Sequence, residues 1–178
     1  ASVGELPVFD HMLQVVMQVS YASVFAMAFP AGSCISLFII FFQARILASR
    51  VLITGASGMV GSWLTAWLVR SGAYTVAFLA DADPQSELIR SGTIKKVHIV
   101  NGRLENYDDI ERAINNHEID SVFHLGAQPI VGAADRAPRH TFESNIQGTW
   151  NLLDACRVLH PLVKRIVVAS SDKAYGTQ

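Results

Sequence analysis

Between Met12 and Ala44 the chain has no charged residue, and it has no lysine or arginine before Arg45. Glu5 and Asp10 are the only charges ahead of that arginine, so all 14 basic residues lie from Arg45 onward. A chain divided in this way is expected to hold two segments with different surroundings. It also lacks a basic excess: the formal net charge is −1. Bulk charge therefore offers no argument for nucleic acid as a partner. Cysteine is scarce, with Cys34 and Cys156 alone, one in each segment. Neither has a partner at metal-ligand spacing, so no metal site is expected. Both read as buried free thiols in a reducing compartment. No tandem repeat or low-complexity tract is present.

What is abundant is apolar: 51% of the 178 residues are hydrophobic, and the mean hydropathy is +0.30. The length suits one domain, or one domain with an appendage. Much of the hydrophobicity sits in residues 1–48, which we read as a hydrophobic helical segment in two pieces. The first runs from about Pro7 to Phe29 and is broken by Pro30 and Gly32; the second runs from about Cys34 to Leu47. A bilayer core needs about 20 apolar residues per helix. A membrane hairpin and a single broken spanning helix both fit. So does a helical pair buried against another domain or subunit. No basic stretch precedes the apolar run, which argues against a secretory signal peptide. Arg45 and Arg50 follow it and predict that the rest of the chain stays cytoplasmic.

From residue 49 to 178 the pattern changes to alternating strands and helices. "RVLITG" (Arg50–Gly55) reads as a buried strand. "SGMVGSWLTAWLVRSG" reads as a helix with Val60, Leu64, Trp67 and Leu68 at helical spacing. "YTVAFLA" is a strand, "PQSELIRSG" a short helix and "KKVHIVNG" a strand. "NYDDIERAINNHE" is an amphipathic helix with Ile110 and Ile114 inward. "DSVFHLGA" is a strand, "HTFESNIQGTWNLLDACRVLH" a longer helix and "KRIVVAS" a fifth strand. Strands separated by helices of this length imply right-handed βαβ units. The expected fold is therefore α/β, a partial Rossmann doubly wound parallel sheet of about five strands.

"TGASGMVG" carries Gly55, Gly58 and Gly61 between a strand and a helix, the context a dinucleotide fingerprint requires. Gly55 would permit the tight turn, Gly58 the approach of a pyrophosphate, and Gly61 close helix–strand packing. Free N–H groups at the helix N-terminus would hold the phosphates. Asp81, 20 residues past Gly61, stands where an acid accepts hydrogen bonds from the adenosine ribose hydroxyls. With neutral Ala80 beside it and no arginine there to neutralise a 2′-phosphate, NAD is favoured over NADP.

At this point "TGASGMVG", "FHLGAQ", "ESNIQGTWNLLDAC" and "VVASSDKAYG" together resemble the extended short-chain dehydrogenase/reductase superfamily. Within it, "FHLGAQPIVG" and "SSDKAYG" look most like the NAD-dependent epimerase/dehydratase family, in particular nucleotide-sugar 4,6-dehydratases of the CDP-glucose type. The resemblance implies NAD as cofactor and a nucleotide sugar as substrate. It places Gly55, Ser57, Gly58, Met59, Val60 and Gly61 on the pyrophosphate. It places Leu125, Gly126, Ala127 and Gln128 on the nicotinamide-ribose side, and counts Leu104, Asp81, Asn145 and Ser170 with the cofactor site. Asn145 matches a family asparagine that braces the fourth strand; satisfying local backbone is an alternative role. Ser171, Asp172 and Lys173 fall where the family keeps catalytic groups, with Asp172 the acid for water elimination. Tyr175 is not the family's catalytic tyrosine, since no lysine follows it by four residues.

The resemblance also exposes departures. Arg103 stands where the family has an acid for the adenine amino group, and a guanidinium cannot accept that hydrogen bond. The Tyr-x-x-x-Lys helix, the sixth strand and the sugar-binding region are not in these residues. The expectation is a chain that binds NAD and turns over nothing by itself. The exposed sheet edge predicts a homodimer or poor solubility. His124, His140 and His160 are scattered and read as core or surface residues. Residues 9–45 are also similar to a transmembrane segment of the anoctamin family. Two further readings follow: a membrane-tethered NAD-binding scaffold, or a membrane-protein piece fused to a dehydratase piece.

Overall fold

The computed structural model describes residue 46, residues 48–81 and 83–171, and residue 176. The apolar helical segment of residues 1–48, and with it the anoctamin-like stretch, lies almost wholly outside the described residues. Among the described residues, no helix is long and apolar enough to cross a membrane.

The described chain runs β1 (Arg50–Thr54), α1 (Met59–Arg70), β2 (Tyr74–Leu79), α2 (Glu87–Arg90), a 3₁₀ turn (Thr93–Lys96) and β3 (His98–Asn101). It continues through α3 (Tyr107–Asn116), β4 (Ser121–His124), α4 (Val131–Arg136) and α5 (Pro138–Phe142). A π turn (Glu143–Gln147), α6 (Gly148–Val158) and β5 (Arg165–Val168) complete it. The five strands are parallel, in the order β3-β2-β1-β4-β5. After β3 the chain crosses back to the other side of β1, so a switch point lies between β1 and β4. In open α/β sheets this is where ligands bind, beyond the carboxyl ends of the strands.

Successive strand residues point to opposite faces, and both faces are apolar here. Leu52, Val76, Phe78 and Val122 pack with Ile110, Ile114, Leu152 and Cys156 under α3 and α6. Val51, Ile53, Ala77 and Leu79 pack with Leu68 and Leu88 under α1 and α2. Helix α3 is set by its sequence: Asn106 caps it by accepting from the Asp108 N–H, two acids occupy its first turn, and Ile110, Ala113 and Ile114 are buried.

Three expectations need correction. Val60 and Trp67 do not face the core: they are 60% and 48% exposed. Helix α1 instead lies against the sheet through Gly61, Ser62, Thr65, Ala66 and Leu68, because small residues allow closer approach than bulky ones. The long helix after β4 is not uniform: a π turn separates α5 from α6. Helix α4 occupies "VGAADR", which carries no strong apolar period and was not expected. At the other limit of the described sheet, β5 is an edge strand with Ile166, Val167 and Val168 40–51% exposed.

Candidate functional site

Gly55 ends β1 with φ +68°, a conformation that costs L side chains but not glycine. A Cβ there would lie 2.7 Å from the Leu125 carbonyl and the Gly126 nitrogen, so glycine is needed for space as well. The Gly58 N–H donates to the Gly55 carbonyl at 3.0 Å. A Cβ on Gly61 would collide with that same oxygen, so α1 can start this close to the loop only with glycine at 61. Helix α1 opens on Gly58 with no side-chain cap and no acid in its first turn. Its leading N–H groups and the positive end of its dipole are thus left for an anion.

These features open onto a cleft of ≈ 540 Å³ at the carboxyl end of the sheet. One wall is the glycine loop, where Gly55, Ser57, Gly58, Met59, Val60 and Gly61 all line the cleft. Ala80 and Asp81, beyond β2, form its rim, and Asp81 is exposed. Gly102, Arg103, Leu104 and Glu105, beyond β3, form a second wall, and Leu125 to Pro129, beyond β4, a third. His140 and Ser144 close it from the helical side. Burial alone would raise the Glu105 carboxyl. The Ser144 hydroxyl, its own backbone N–H, and the nearby Arg103 and His140 outweigh burial and hold it below the usual carboxylate range.

A buried hydrogen-bond chain supports these walls. His124 Nδ1 meets Thr54 Oγ1 at 2.7 Å, and Nε2 meets Thr149 Oγ1 at 3.0 Å. Thr149 spends its proton on the Asn145 carbonyl at 2.6 Å, so Nε2 must carry the hydrogen donated to Thr149. Thr54 Oγ1 already accepts from the Leu125 and Gly126 N–H groups at 3.2 and 3.1 Å, so its own proton goes to the bare Nδ1. Every donor and acceptor is matched by one neutral tautomer. Burial holds His124 below the ordinary imidazole range, and a second ring proton would have no acceptor. The chain thus links the ends of β1 and β4 to the helical side. From there Asn145 Oδ1 accepts from the Gln128 N–H at 2.7 Å, and Nδ2 donates to the Gln128 carbonyl at 3.2 Å.

All the cofactor residues expected from sequence line the cleft except Asn145 and Ser170. Asn145 stands behind the Gln128 wall and braces the backbone there. Ser170 and Ser171 are exposed just past β5 and are not among the lining residues. Asp172, Lys173 and Tyr175 fall outside the described residues. Sequence reading missed Glu105, His140 and Ser144. His140, expected in a core or surface role, is exposed and also lines the cleft. Ser144 sits inside the quoted "ESNIQGTWNLLDAC" stretch, beside Asn145, whereas Glu105 and His140 are brought to the cleft by the path of the chain after β3 and α4. Of the core and surface roles open to His124, the structure shows the core one, with hydrogen-bond partners on both ring nitrogens.

The sequence profile of the NAD dependent epimerase/dehydratase family matches residues 51–178. Over 132 residues the chain is 32% identical to CDP-glucose 4,6-dehydratase of Salmonella typhimurium, covering 72% of this chain and 36% of that one. Among solved structures, UDP-glucose-4-epimerase from Stenotrophomonas maltophila, with bound NAD and formylated UDP-arabinopyranose, superposes with a TM-score of 0.64. It is 30% identical, over 73% of this chain and 39% of that one. MoeE5, in complex with UDP-glucose and NAD, has a TM-score of 0.59 and 31% identity, over 73% and 39%. The chain therefore spans less than two fifths of the length of these relatives. The profile match begins at the second residue of β1 and runs through every described strand, and by it the chain belongs to the NAD dependent epimerase/dehydratase family.

Proposed function

We propose that residues 49–178 are an NAD-binding domain and supply the cofactor site of a nucleotide-sugar 4,6-dehydratase or epimerase. The observation that carries this is the uncapped start of α1 above Gly55–Gly61, with Asp81 on the rim of the same open cleft. The glycine loop would hold the pyrophosphate, and the Asp81 carboxylate the adenosine ribose hydroxyls. Leu104 would flank the adenosine half. Leu125, Gly126, Ala127 and Gln128 would let the nicotinamide ribose pack on backbone. Ser170 and Asn145 would support that side. Bound NAD would supply reversible hydride acceptance at the sugar C4. Loss of water from the sugar then needs a proton removed at C5 and one delivered to the departing 6-hydroxyl. We assign delivery to Asp172, beside Ser171 and Lys173.

Calorimetric titration of the chain tests this. NAD should bind, NADP should bind about tenfold more weakly or worse, and Asp81→Asn should narrow that gap. Absence of NAD binding at millimolar concentration would overturn the reading.

We also assign residues 1–48 to a separate apolar segment that associates with membrane, on the strength of the uncharged run from Met12 to Ala44. Flotation of the chain with liposomes checks this, and a chain left in the dense fraction refutes it. Phe142, Ile146, Trp150 and Leu153, all 41% exposed or more, favour a homodimer, which sedimentation velocity would detect.

A further inference from the structure

The π turn Glu143–Gln147 lies between two loops that line the cleft, and side chains in and beside it hold both. Toward β4, Asn145 takes the Gln128 N–H and carbonyl. Toward β3, Ser144 Oγ donates to Glu105 Oε1 at 2.7 Å, and Gln147 Nε2 donates to the Glu105 carbonyl at 3.3 Å. One turn on, Asn151 Nδ2 donates to the Leu104 and Glu105 carbonyls at 3.0 and 3.1 Å. The gripped atoms belong to Leu104, Glu105 and Gln128, and all three residues line the cleft. Neither loop has a regular backbone ladder at these points, so the helical side chains set where their carbonyls and N–H groups sit.

A π turn takes one residue more than an α turn, and it changes the phase between the helix before it and the helix after it. That change matters here because Asn145 must address the β4 loop while Asn151, six residues on, addresses the β3 loop. Such turns are rare and recur at functional sites. Here the surroundings specify it: Thr149 anchors the Asn145 carbonyl, and the six named bonds use the side chains on both sides.

We propose that this wide turn is the positioning device of the cofactor cleft. Ser144, Gln147 and Asn151 are positioning residues that fix the adenosine-side wall through Leu104 and Glu105. Asn145 fixes the opposite wall at Gln128. The inference rests on NAD binding in this cleft.

The experiment titrates NAD, AMP and nicotinamide mononucleotide into the full 178-residue chain and into four variants. Ser144→Ala should weaken NAD and AMP by about five- to tenfold, the equivalent of one lost hydrogen bond, and Asn151→Ser, which loses two, by at least as much. Nicotinamide mononucleotide should bind them as it binds the wild type. Ser144→Thr, which keeps the hydroxyl, should retain wild-type affinity. Deletion of Ile146, 50% exposed, turns the π turn into an α turn while keeping every gripping side chain, and should weaken NAD further than either substitution. A purely structural role would lower the melting temperature and affect all three ligands alike, which overturns the proposal. Unchanged AMP affinity in Ser144→Ala, a half-buried site that does not threaten folding, overturns it too. A wild-type chain that binds no NAD would remove the underlying reading and this inference together.

Discussion

Leu104 is held between two glycines, and the two contacts differ in kind. A Cβ on Gly126 would lie 2.9 Å from Leu104 Cδ1, whereas a Cβ on Gly148 would lie 2.6 Å from Leu104 Cβ. Both Gly126→Ala and Gly148→Ala should cost about 1–3 kcal/mol by overpacking. Shortening residue 104 to alanine removes Cδ1 but not Cβ. Leu104→Ala should therefore recover part of the loss at Gly126 and none at Gly148, as a double-mutant cycle in urea would show. A second residue-scale prediction concerns His117. Its Nδ1 meets the Tyr74 hydroxyl at 2.9 Å, while the Arg50 guanidinium bonds its carbonyl and lies 5.0 Å over the Tyr74 ring. His98 stacks on Tyr74, and Glu118 pairs with Arg50 at 3.5 Å. Burial first, then His98 and Arg50, hold His117 below its ordinary value. The unfolded chain takes up this proton near pH 6.5, about the free imidazole value. Stability is thus complete above that pH and is lost as pH falls through it. The melting temperature should drop between pH 7.5 and 5.5, and less steeply in His117→Gln. At this scale local spacing singled out the glycine loop and Asp81, and both line the same cleft. The sequence hid His124, because a buried histidine inside an apolar strand looks the same whether or not threonines meet both its nitrogens.

Among the elements, α3 was the most legible, since its cap, its first-turn acids and its apolar stripe all agree. Ile114 is fully buried in the cluster beneath it. Ile114→Ala should cost about 2–5 kcal/mol, while Trp63→Ala on the exposed side of α1, 58% exposed, should change stability by about 0.5 kcal/mol or less. Paired chemical denaturation measures both. Helix α1 was only half legible. Its bulky residues suggested which side faces the sheet, yet close packing selected its small residues. The π turn was illegible for a different reason. It has the same composition as a helix, and what selects it is the distance between two loops that the sequence does not state.

Over the whole molecule, the strand–helix alternation was enough to give a parallel sheet of about five strands, because right-handed crossovers leave few alternatives; the order of the strands came from the structure. The cleft's outline was half visible. The loops after β1, β2 and β4 carry motifs, and Ser144 lies in one, whereas the side formed by Glu105 and His140 depends on chain paths that no motif records. The central place of β1 has a mechanical consequence. Arg50 opposes Tyr74 at the amino ends of β1 and β2, and β1 is bonded on its other side to β4. A force drawn between residues 49 and 169 runs along parallel strands in opposite senses and loads their ladders together, in shear. A force between residues 49 and 74 opens the β1–β2 ladder one bond at a time. Single-molecule pulling should therefore find the first geometry several times stronger than the second. Tension entering from the residue 49 side, with β5 held, would meet the sheet in its stiffest direction.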